Sequence, residues 1–201
     1  MKRLFLLSPA STTGKRAQLL FGTDASFDLA VRLRGEGATL GEAFSFLSGL
    51  YFRGKLAYAR RFATTHDVVR IITSDRGLVD PDRIVTVADL RQMSLCAIDH
   101  CHPPYRDPLL RDAVAIGTRL GARSLAVLLG SIATEKYVGV LGSAFGRRLV
   151  FPGEFVGRGD MSRGGLMLRQ AAAGVELAYC PVATTERRGR RPARLADAIK
   201  K

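Results

Sequence analysis

The stretch LAVLLGSIA, residues 125–133, is the part of the sequence that decides the fold most clearly. Its first five residues form a continuous apolar run, the pattern of a strand buried on both faces of a parallel sheet. Gly130 and Ser131 end the run and open a helix predicted near residues 132–145. A buried strand that passes directly into a helix predicts an α/β fold.

The same alternation extends through the chain on both sides of this stretch. Apolar or β-branched runs that stop at turn residues predict further strands at residues 4–7, 68–72, 147–151 and 175–182. Helical spacing of apolar residues predicts further helices at residues 26–34, 41–63, 107–120 and 165–173. Residues 84–106 read as a long irregular loop with a short strand at 84–87. Together the elements predict a three-layer sandwich with a mainly parallel central sheet and right-handed crossovers.

The composition fits a single domain in a reducing compartment. The 201 residues are 47% hydrophobic and contain no apolar run near the ~20 residues that a membrane span needs. The apolar run at the N-terminus is too short for the core of a signal peptide. Three cysteines, Cys96, Cys101 and Cys180, are an odd set without a paired framework. We therefore expect a cytoplasmic monomer without a membrane partner, with one α/β domain over residues 1–185 and a basic tail over residues 186–201.

The charge of the chain indicates a polyanionic partner. Lys and Arg number 31 against 18 acidic residues, which gives a net charge of +13. The tail contributes +5 of this charge, from seven basic and two acidic residues, so the remaining body is also basic. A basic protein is drawn to nucleic acid by counterion release. DNA is the expected partner, RNA is an open alternative, and the charge alone does not indicate a reaction.

Polar clusters directly follow four of the predicted strands. They are residues 8–12, Ser74 with Asp75, Gly130 with Ser131, and the segment around Asp160. In open α/β sheets ligands bind beyond the carboxyl ends of the strands, so these clusters are expected to border one cleft. Two of them also stand at helix N-termini, where free backbone N–H groups favour phosphate, although ordinary helix capping explains each one equally well.

Three of these features together resemble the uracil-DNA glycosylase superfamily, over most of residues 3–170. They are the sequence LLGSIA at 128–133, a strand ending at Phe151, and the loop Asp160-Met161-Ser162 that opens the last helix. In that superfamily one strand ends in Leu-x-Gly-Ser/Asn/Lys-x-Ala, and a later loop, often His-Pro-Ser, inserts into DNA. The resemblance implies an enzyme that flips a base out of the duplex and hydrolyses its N-glycosidic bond without a metal or an organic cofactor.

The chain departs from the superfamily pattern at two loops. The loop after the first strand usually carries an Asp or Asn that positions the attacking water, whereas residues 8–13 contain neither, and the later loop lacks His. A carboxylate at another strand end must then stabilise the cationic sugar or orient water, which leaves Asp75, Glu154 and Asp160. Asp160 is the first choice because glycines around it admit a nucleotide and neighbouring arginines can hold phosphates. An Arg–Asp ion pair that only orders the loop is the alternative.

The sequence thus predicts a DNA glycosylase that removes a modified or damaged base, and DNA repair and defence against modified phage DNA both fit this chemistry. Asp160 is the expected catalytic acid, with Asp75 and Glu154 as alternatives. The residues expected to contact nucleic acid are Ser8, Ser11, Thr12, Ser74, Gly130, Ser131, Arg158, Ser162 and Arg163. No metal site is expected, because the metal-capable residues 96–102 lack a Cys-x-x-Cys pair. A noncatalytic nucleic-acid-binding protein and an enzyme that hydrolyses or transfers ribosyl groups of nucleotides or RNA remain the rival interpretations.

Overall fold

The computed structural model describes residues 1–187 and 189, and shows an α/β fold built on a mainly parallel sheet. Nearly all of the predicted basic tail, residues 186–201, lies outside this described part. The strands are β1 (Arg3–Leu7), β2 (Ala38–Thr39), β3 (Val68–Ile72), β4 (Leu78–Val79), β5 (Ile84–Val85), β6 (Leu125–Leu129), β7 (Leu149–Pro152) and β8 (Tyr179–Pro181). Six of them form the main sheet in the order β4-β3-β1-β6-β7-β8, and β2 pairs with β5 in a small antiparallel sheet.

Eight α-helices occur in the described residues. They are α1 (Lys15–Phe21), α2 (Asp28–Arg34), α3 (Leu40–Ser48), α4 (Leu50–Phe62), α5 (Val87–Ser94), α6 (Pro103–Leu120), α7 (Glu135–Phe145) and α8 (Asp160–Ala173). Single 3₁₀ turns lie at Gly146–Arg148, Gly153–Phe155 and Val182–Thr184. None of the helices in residues 1–187 has the length and apolar character needed to cross a membrane.

The core lies on the four parallel strands β3, β1, β6 and β7. At the centre Phe5 is in register with Val69 on one side and with Val127 on the other. The edge strands β4 and β8 run antiparallel to their neighbours. Helix α4 packs on α8, and α6 packs on α7. Because crossovers between parallel strands are right-handed as a rule, we expect these two helix pairs on opposite faces of the sheet, which is consistent with three layers.

The predicted α/β class is confirmed, and the long helix predicted at 41–63 is wrong. The structure has two helices there, α3 and α4, separated by Gly49. Gly49 has a φ of 59°, a left-handed conformation that ends one helix and redirects the chain into the next.

The predicted irregular segment 84–106 is largely regular. Thr86 and Asp89 form a reciprocal capping box that starts α5. Helix α6 begins at Pro103, because a proline at the first helical position gives up no hydrogen bond. Helix α8 likewise begins at Asp160, five residues before the predicted start, which brings the predicted catalytic acid onto the first turn of a helix.

Candidate functional site

An open cleft of about 630 Å³ lies at the carboxyl end of β1. The chain leaves β1 towards β3 on one side, whereas β6 lies on the other side, so the strand order reverses its direction at β1. Connections diverge at such a point and leave a crevice outside the strand ends. The segment 8–13 after β1 and Ser131 after β6 border the cleft, and residues 93–98 and α3 form its other walls.

The structure brings six of the predicted site residues to this one cleft. They are Ser8, Ser11, Thr12, Ser74, Ser131 and Asp160. Ser8, Ser11 and Thr12 come after β1, Ser74 after β3, Ser131 after β6 and Asp160 after β7. Because these four strands are parallel, their ends meet at one edge of the sheet, and the residues converge there. The hydroxyl of Ser74 is held in place, since its Oγ donates to the carbonyl of Met93 at 2.5 Å.

Asp75 and Glu154, the alternative catalytic acids, are not among the residues that line the cleft. Both oxygens of Asp75 accept hydrogen bonds from the guanidinium of Arg76, which also pairs with Asp89. Glu154 is an exposed residue of a single 3₁₀ turn. The carboxylate of Asp75 is therefore committed to structure, and that of Glu154 lies outside the cleft lining.

Arg158 and Arg163, which were predicted to hold phosphates beside Asp160, both form hydrogen bonds within the protein. Arg158 donates to the carbonyl of Glu154 at 2.9 Å and to Ser162 Oγ at 3.3 Å, so its guanidinium and the Ser162 hydroxyl serve the loop itself. Arg163 lies with only 10% of its side chain exposed, and its Nε donates to the carbonyl of Phe155 at 3.2 Å. The burial of Arg163 therefore argues against the predicted phosphate contact of its guanidinium.

Gly130 is required by close packing and does not line the cleft. A Cβ at this position would come within 2.9 Å of the Cβ of Ser8, closer than real side chains approach. The absence of a side chain lets the end of β6 lie directly beside Ser8. Gly130 thus positions the cleft without contributing a functional group to it.

Asp160 is the one carboxylate among the described residues that line the cleft. It occupies the first turn of α8, where the helix dipole favours a negative charge. Its side chain is 67% exposed, and its Oδ1 lies 3.5 Å from Nη1 of the buried Arg163. Arg163 therefore orients Asp160 from below, while the carboxylate remains open to a ligand.

Lys55 is a site residue that the sequence reasoning missed. It is completely buried on α4, and its Nζ donates to the carbonyl of Ser8 at 2.7 Å and to Ser8 Oγ at 2.8 Å. The ammonium also lies 4.0 Å from the centre of the Tyr51 ring. Burial lowers the pKa of Lys55 to about 7. The available signal was its position four residues after Tyr51, which places both side chains on one helix face.

The hydroxyl of Tyr51 is buried and lacks a hydrogen-bond partner among the described residues. Ser8 and Arg163 lie close enough to affect its ionisation, but neither completes a hydrogen bond of normal geometry. Burial raises the pKa of Tyr51 to about 12, and the positive charge of Arg163 opposes this shift. Tyr51 is one of the residues that line the cleft, and its buried hydroxyl is a neutral donor.

Two residues of α7 complete the wall beside Asp160. Lys136 and Tyr137 both line the cleft, and the Lys136 ammonium lies 5.1 Å from the centre of the Tyr137 ring. Burial raises the pKa of Tyr137, which keeps its hydroxyl neutral. Lys136 thus adds a basic side chain to a cleft lining that is otherwise rich in hydroxyl groups.

Close contact between α4 and α8 holds Tyr51 and Asp160 at the same cleft. A Cβ on Gly54 would lie 2.6 Å from the carbonyl oxygen of Gly164, and one on Gly164 would lie 2.8 Å from that of Leu50. The two helices therefore approach backbone to backbone. This contact fixes how closely the N-terminal part of α8 lies against α4.

Residues 96–102, where no metal site is expected, carry a small cluster of potential metal ligands. Ligand atoms of Asp99, His100 and Cys101 lie within 4.8 Å of one another. They follow the wall residues 93–98 but do not line the cleft. Within the wall, burial and the negative charge of Asp75 raise the pKa of Cys96, which keeps this thiol protonated and unreactive.

Comparisons of the chain with protein-family models, curated proteins and solved structures gave no match. They neither support nor contradict the resemblance to the uracil-DNA glycosylase superfamily. The residues of the cleft are therefore the basis on which function is inferred: hydroxyl groups at strand ends, one open carboxylate, and buried donors behind them.

Proposed function

We propose that this protein is a DNA glycosylase with a uracil-DNA glycosylase-like fold, which flips a modified or damaged base into the cleft and hydrolyses its N-glycosidic bond. The observation that carries the proposal is the position of Asp160. Its open carboxylate faces a cleft built from the polar ends of successive parallel strands. No metal or organic cofactor enters the proposed hydrolysis.

The size and walls of the cleft suit a flipped nucleotide. Its volume of about 630 Å³ falls within the roughly 300–1,000 Å³ typical of small-molecule sites. Phe44, Tyr51 and Met93 provide flat or apolar surface for the face of a base. Serine and threonine hydroxyls along the other walls can hydrogen-bond to the base edge and the sugar.

The chemistry assigns Asp160 a defined task. When the bond between the sugar and the base breaks, positive charge develops on the sugar and the bonding electrons leave with the base. The carboxylate of Asp160 stabilises that positive charge and accepts a proton from the attacking water. The water oxygen then becomes the hydroxyl group on the sugar, and the free base leaves.

The net charge and the cysteines of the protein also support a DNA-binding enzyme in the cytoplasm. The net charge of +13 draws the protein to DNA before any specific contact forms. The three cysteines are free thiols, as suits the cytoplasm that we propose as its location. We also propose that the protein acts as a monomer, without a membrane partner.

An abasic-site assay over a panel of DNA duplexes with modified pyrimidines and damaged bases tests the proposal. We expect base release from at least one duplex, with the abasic product converted to a strand break by heat and alkali. The same bases offered as free nucleosides and in RNA serve as comparison substrates. Release only from nucleosides or RNA would favour the ribosyl-transfer class, and tight DNA binding without release from any substrate would favour a noncatalytic binder.

A further inference from the structure

The pair Lys55–Ser8 is a buried charge at the floor of an open cleft. Both hydrogen bonds of the Lys55 ammonium go to Ser8, and no described carboxylate forms an ion pair with it. A buried ammonium that forms no direct ion pair is costly, and the negative charge of Asp160 and the Tyr51 ring compensate only part of that cost. The free protein therefore has an electrostatic preference for a negative group next to Ser8.

Ser8 can transmit this preference to a ligand, because it lines the cleft. Its Oγ accepts a hydrogen bond from Lys55, so its own proton remains available for donation. The alternative acceptor within the protein is the carbonyl of Leu129, at a long 3.3 Å. A ligand acceptor at normal distance would form the stronger hydrogen bond.

The hydroxyl of Tyr51 is an independent sign of a ligand at the same place. The hydroxyl is buried and lacks a partner among the described residues, and the residue that carries it lines the cleft. An unsatisfied buried hydroxyl costs free energy, so such groups are expected where a ligand completes the bonding. Ser8 and Tyr51 are thus two donors backed by one buried cation.

We propose that Ser8 and Tyr51, with Lys55 behind them, form a binding site for a planar heterocyclic anion. The inference rests on the proposed function, in which this anion is the departing base. Ser8 and Tyr51 are the residues that touch the anion, and Lys55 is a positioning residue that acts through Ser8.

The proton balance of the step follows from this arrangement. The electron pair of the breaking C–N bond moves to the base, which takes the proton of Ser8 Oγ, while Ser8 recovers a proton from the Lys55 ammonium. Asp160 accepts the proton of the attacking water as the new C–O bond forms. After the products leave, Asp160 returns a proton to solvent and Lys55 regains one, so no further reactant is consumed.

The charged groups that face Lys55 determine its behaviour with pH. Burial is the main cause that lowers the pKa of Lys55 to about 7, the positive charges of Arg163 and Lys136 add to this shift, and the negative charge of Asp160 opposes it. Tyr51 and Ser8 complete the surroundings and are neutral in this range. A bound anion favours charged Lys55, so anion affinity is highest below about pH 7 and falls as Lys55 loses its proton.

Calorimetric titration of the full chain with barbiturate tests the site without requiring catalysis. Barbiturate is a pyrimidine that is already an anion at neutral pH. We expect its affinity to fall by up to tenfold per pH unit above about pH 7, with proton uptake on binding. Lys55→Met should bind more weakly with a flat pH dependence, whereas Tyr51→Phe should bind more weakly and keep the dependence.

Controls separate this site from a general loss of structure. Ser124→Ala removes another buried serine hydroxyl, which donates to the carbonyl of Gly121 at 2.7 Å outside the cleft, and should leave barbiturate affinity unchanged. Thermal unfolding checks each variant, and Ser8→Ala replaces Lys55→Met as the deciding variant if the latter does not fold. No binding at millimolar barbiturate, or the same pH dependence in wild type and Lys55→Met, would overturn the inference.

Base release distinguishes this inference from the proposed function. On a duplex whose base the wild type removes, Ser8→Ala should slow release by roughly 10²- to 10⁴-fold, and by less when a halogen on the base stabilises its anion. An equal loss for both bases would overturn the inference while leaving glycosylase activity standing. Barbiturate binding as expected, combined with no base release from any duplex, would remove the proposed function and leave the anion site.

Discussion

At the residue scale, the cleft is backed by two buried basic side chains whose hydrogen-bond partners differ. Arg163 and Lys55 are both cations behind the cleft. Arg163 is held by the Phe155 carbonyl and lies beside Asp160, whereas Lys55 has only Ser8 as its hydrogen-bond partner in the described part of the chain. The first is expected to stabilise the fold, and the second is expected to make stability depend on pH.

Arg163→Ala should lower the free energy of unfolding by about 1.5–3 kcal/mol, because it removes a buried charged donor from the Phe155 carbonyl. Urea unfolding measures the loss. Since Arg163 is buried, the salt dependence of DNA binding should keep its wild-type slope. A flatter slope with unchanged stability would show that the arginine contacts phosphate after all.

Lys55 should make the protein more stable as the pH rises. Its pKa is lowered to about 7 in the folded protein from 10.5 in the unfolded chain, so the unfolded state binds more protons between these values. The free energy of unfolding therefore rises with pH in this window, by at most about 1.4 kcal/mol per unit from this group. Urea unfolding at several pH values should show the rise in wild type relative to Lys55→Met, and parallel curves would contradict it.

At the element scale, the contact between α4 and α8 determines the position of Asp160, the proposed catalytic acid. Gly54→Ala places a Cβ 2.6 Å from the carbonyl oxygen of Gly164, and backbone cannot move aside as a side chain can. We expect a loss of about 1–3 kcal/mol in unfolding free energy, measured by urea unfolding. Gly142→Ala is the matched control in α7, where the new Cβ meets open space and should stabilise by about 0.5–1 kcal/mol.

Elements defined by burial were predictable from the sequence, and those defined by local capping were not. Strands β1, β3 and β6 are apolar runs, and their predicted bounds agree with the structure to within one residue. Helix α5 was missed because it is only eight residues long and its start depends on the capping box of Thr86 with Asp89. The break at Gly49 was missed because helical spacing continues across it.

The candidate site was partly predictable for the same reason. Hydroxyls after parallel strands had to converge, and Ser8, Ser74 and Ser131 do line one cleft. The burial of Lys55 could not be deduced, because lysine is almost never fully buried and its partner is 47 residues away in sequence. The ion pair of Asp75 with Arg76 likewise depends on the conformation of Arg76, which composition does not reveal.

At the scale of the whole molecule, charge is expected to control DNA affinity separately from catalysis. Deleting residues 186–201 removes five net positive charges, so DNA binding should weaken and its salt dependence should flatten. Base release at saturating DNA should persist, because the described residues that line the cleft all precede the tail. Binding measured at several salt concentrations checks this, and an unchanged slope would mean that the tail does not touch phosphate.

The most direct test of the central claim is single-turnover base release by Asp160→Asn on a DNA duplex that the wild type processes. The amide preserves shape but removes the charge that stabilises the sugar, so release should slow by roughly 10²- to 10⁴-fold while DNA affinity and thermal stability stay near wild type. Glu154→Gln, which changes a carboxylate outside the cleft, should release the base at the wild-type rate. A folded Asp160→Asn variant that releases the base as fast as wild type would contradict the assignment of the site.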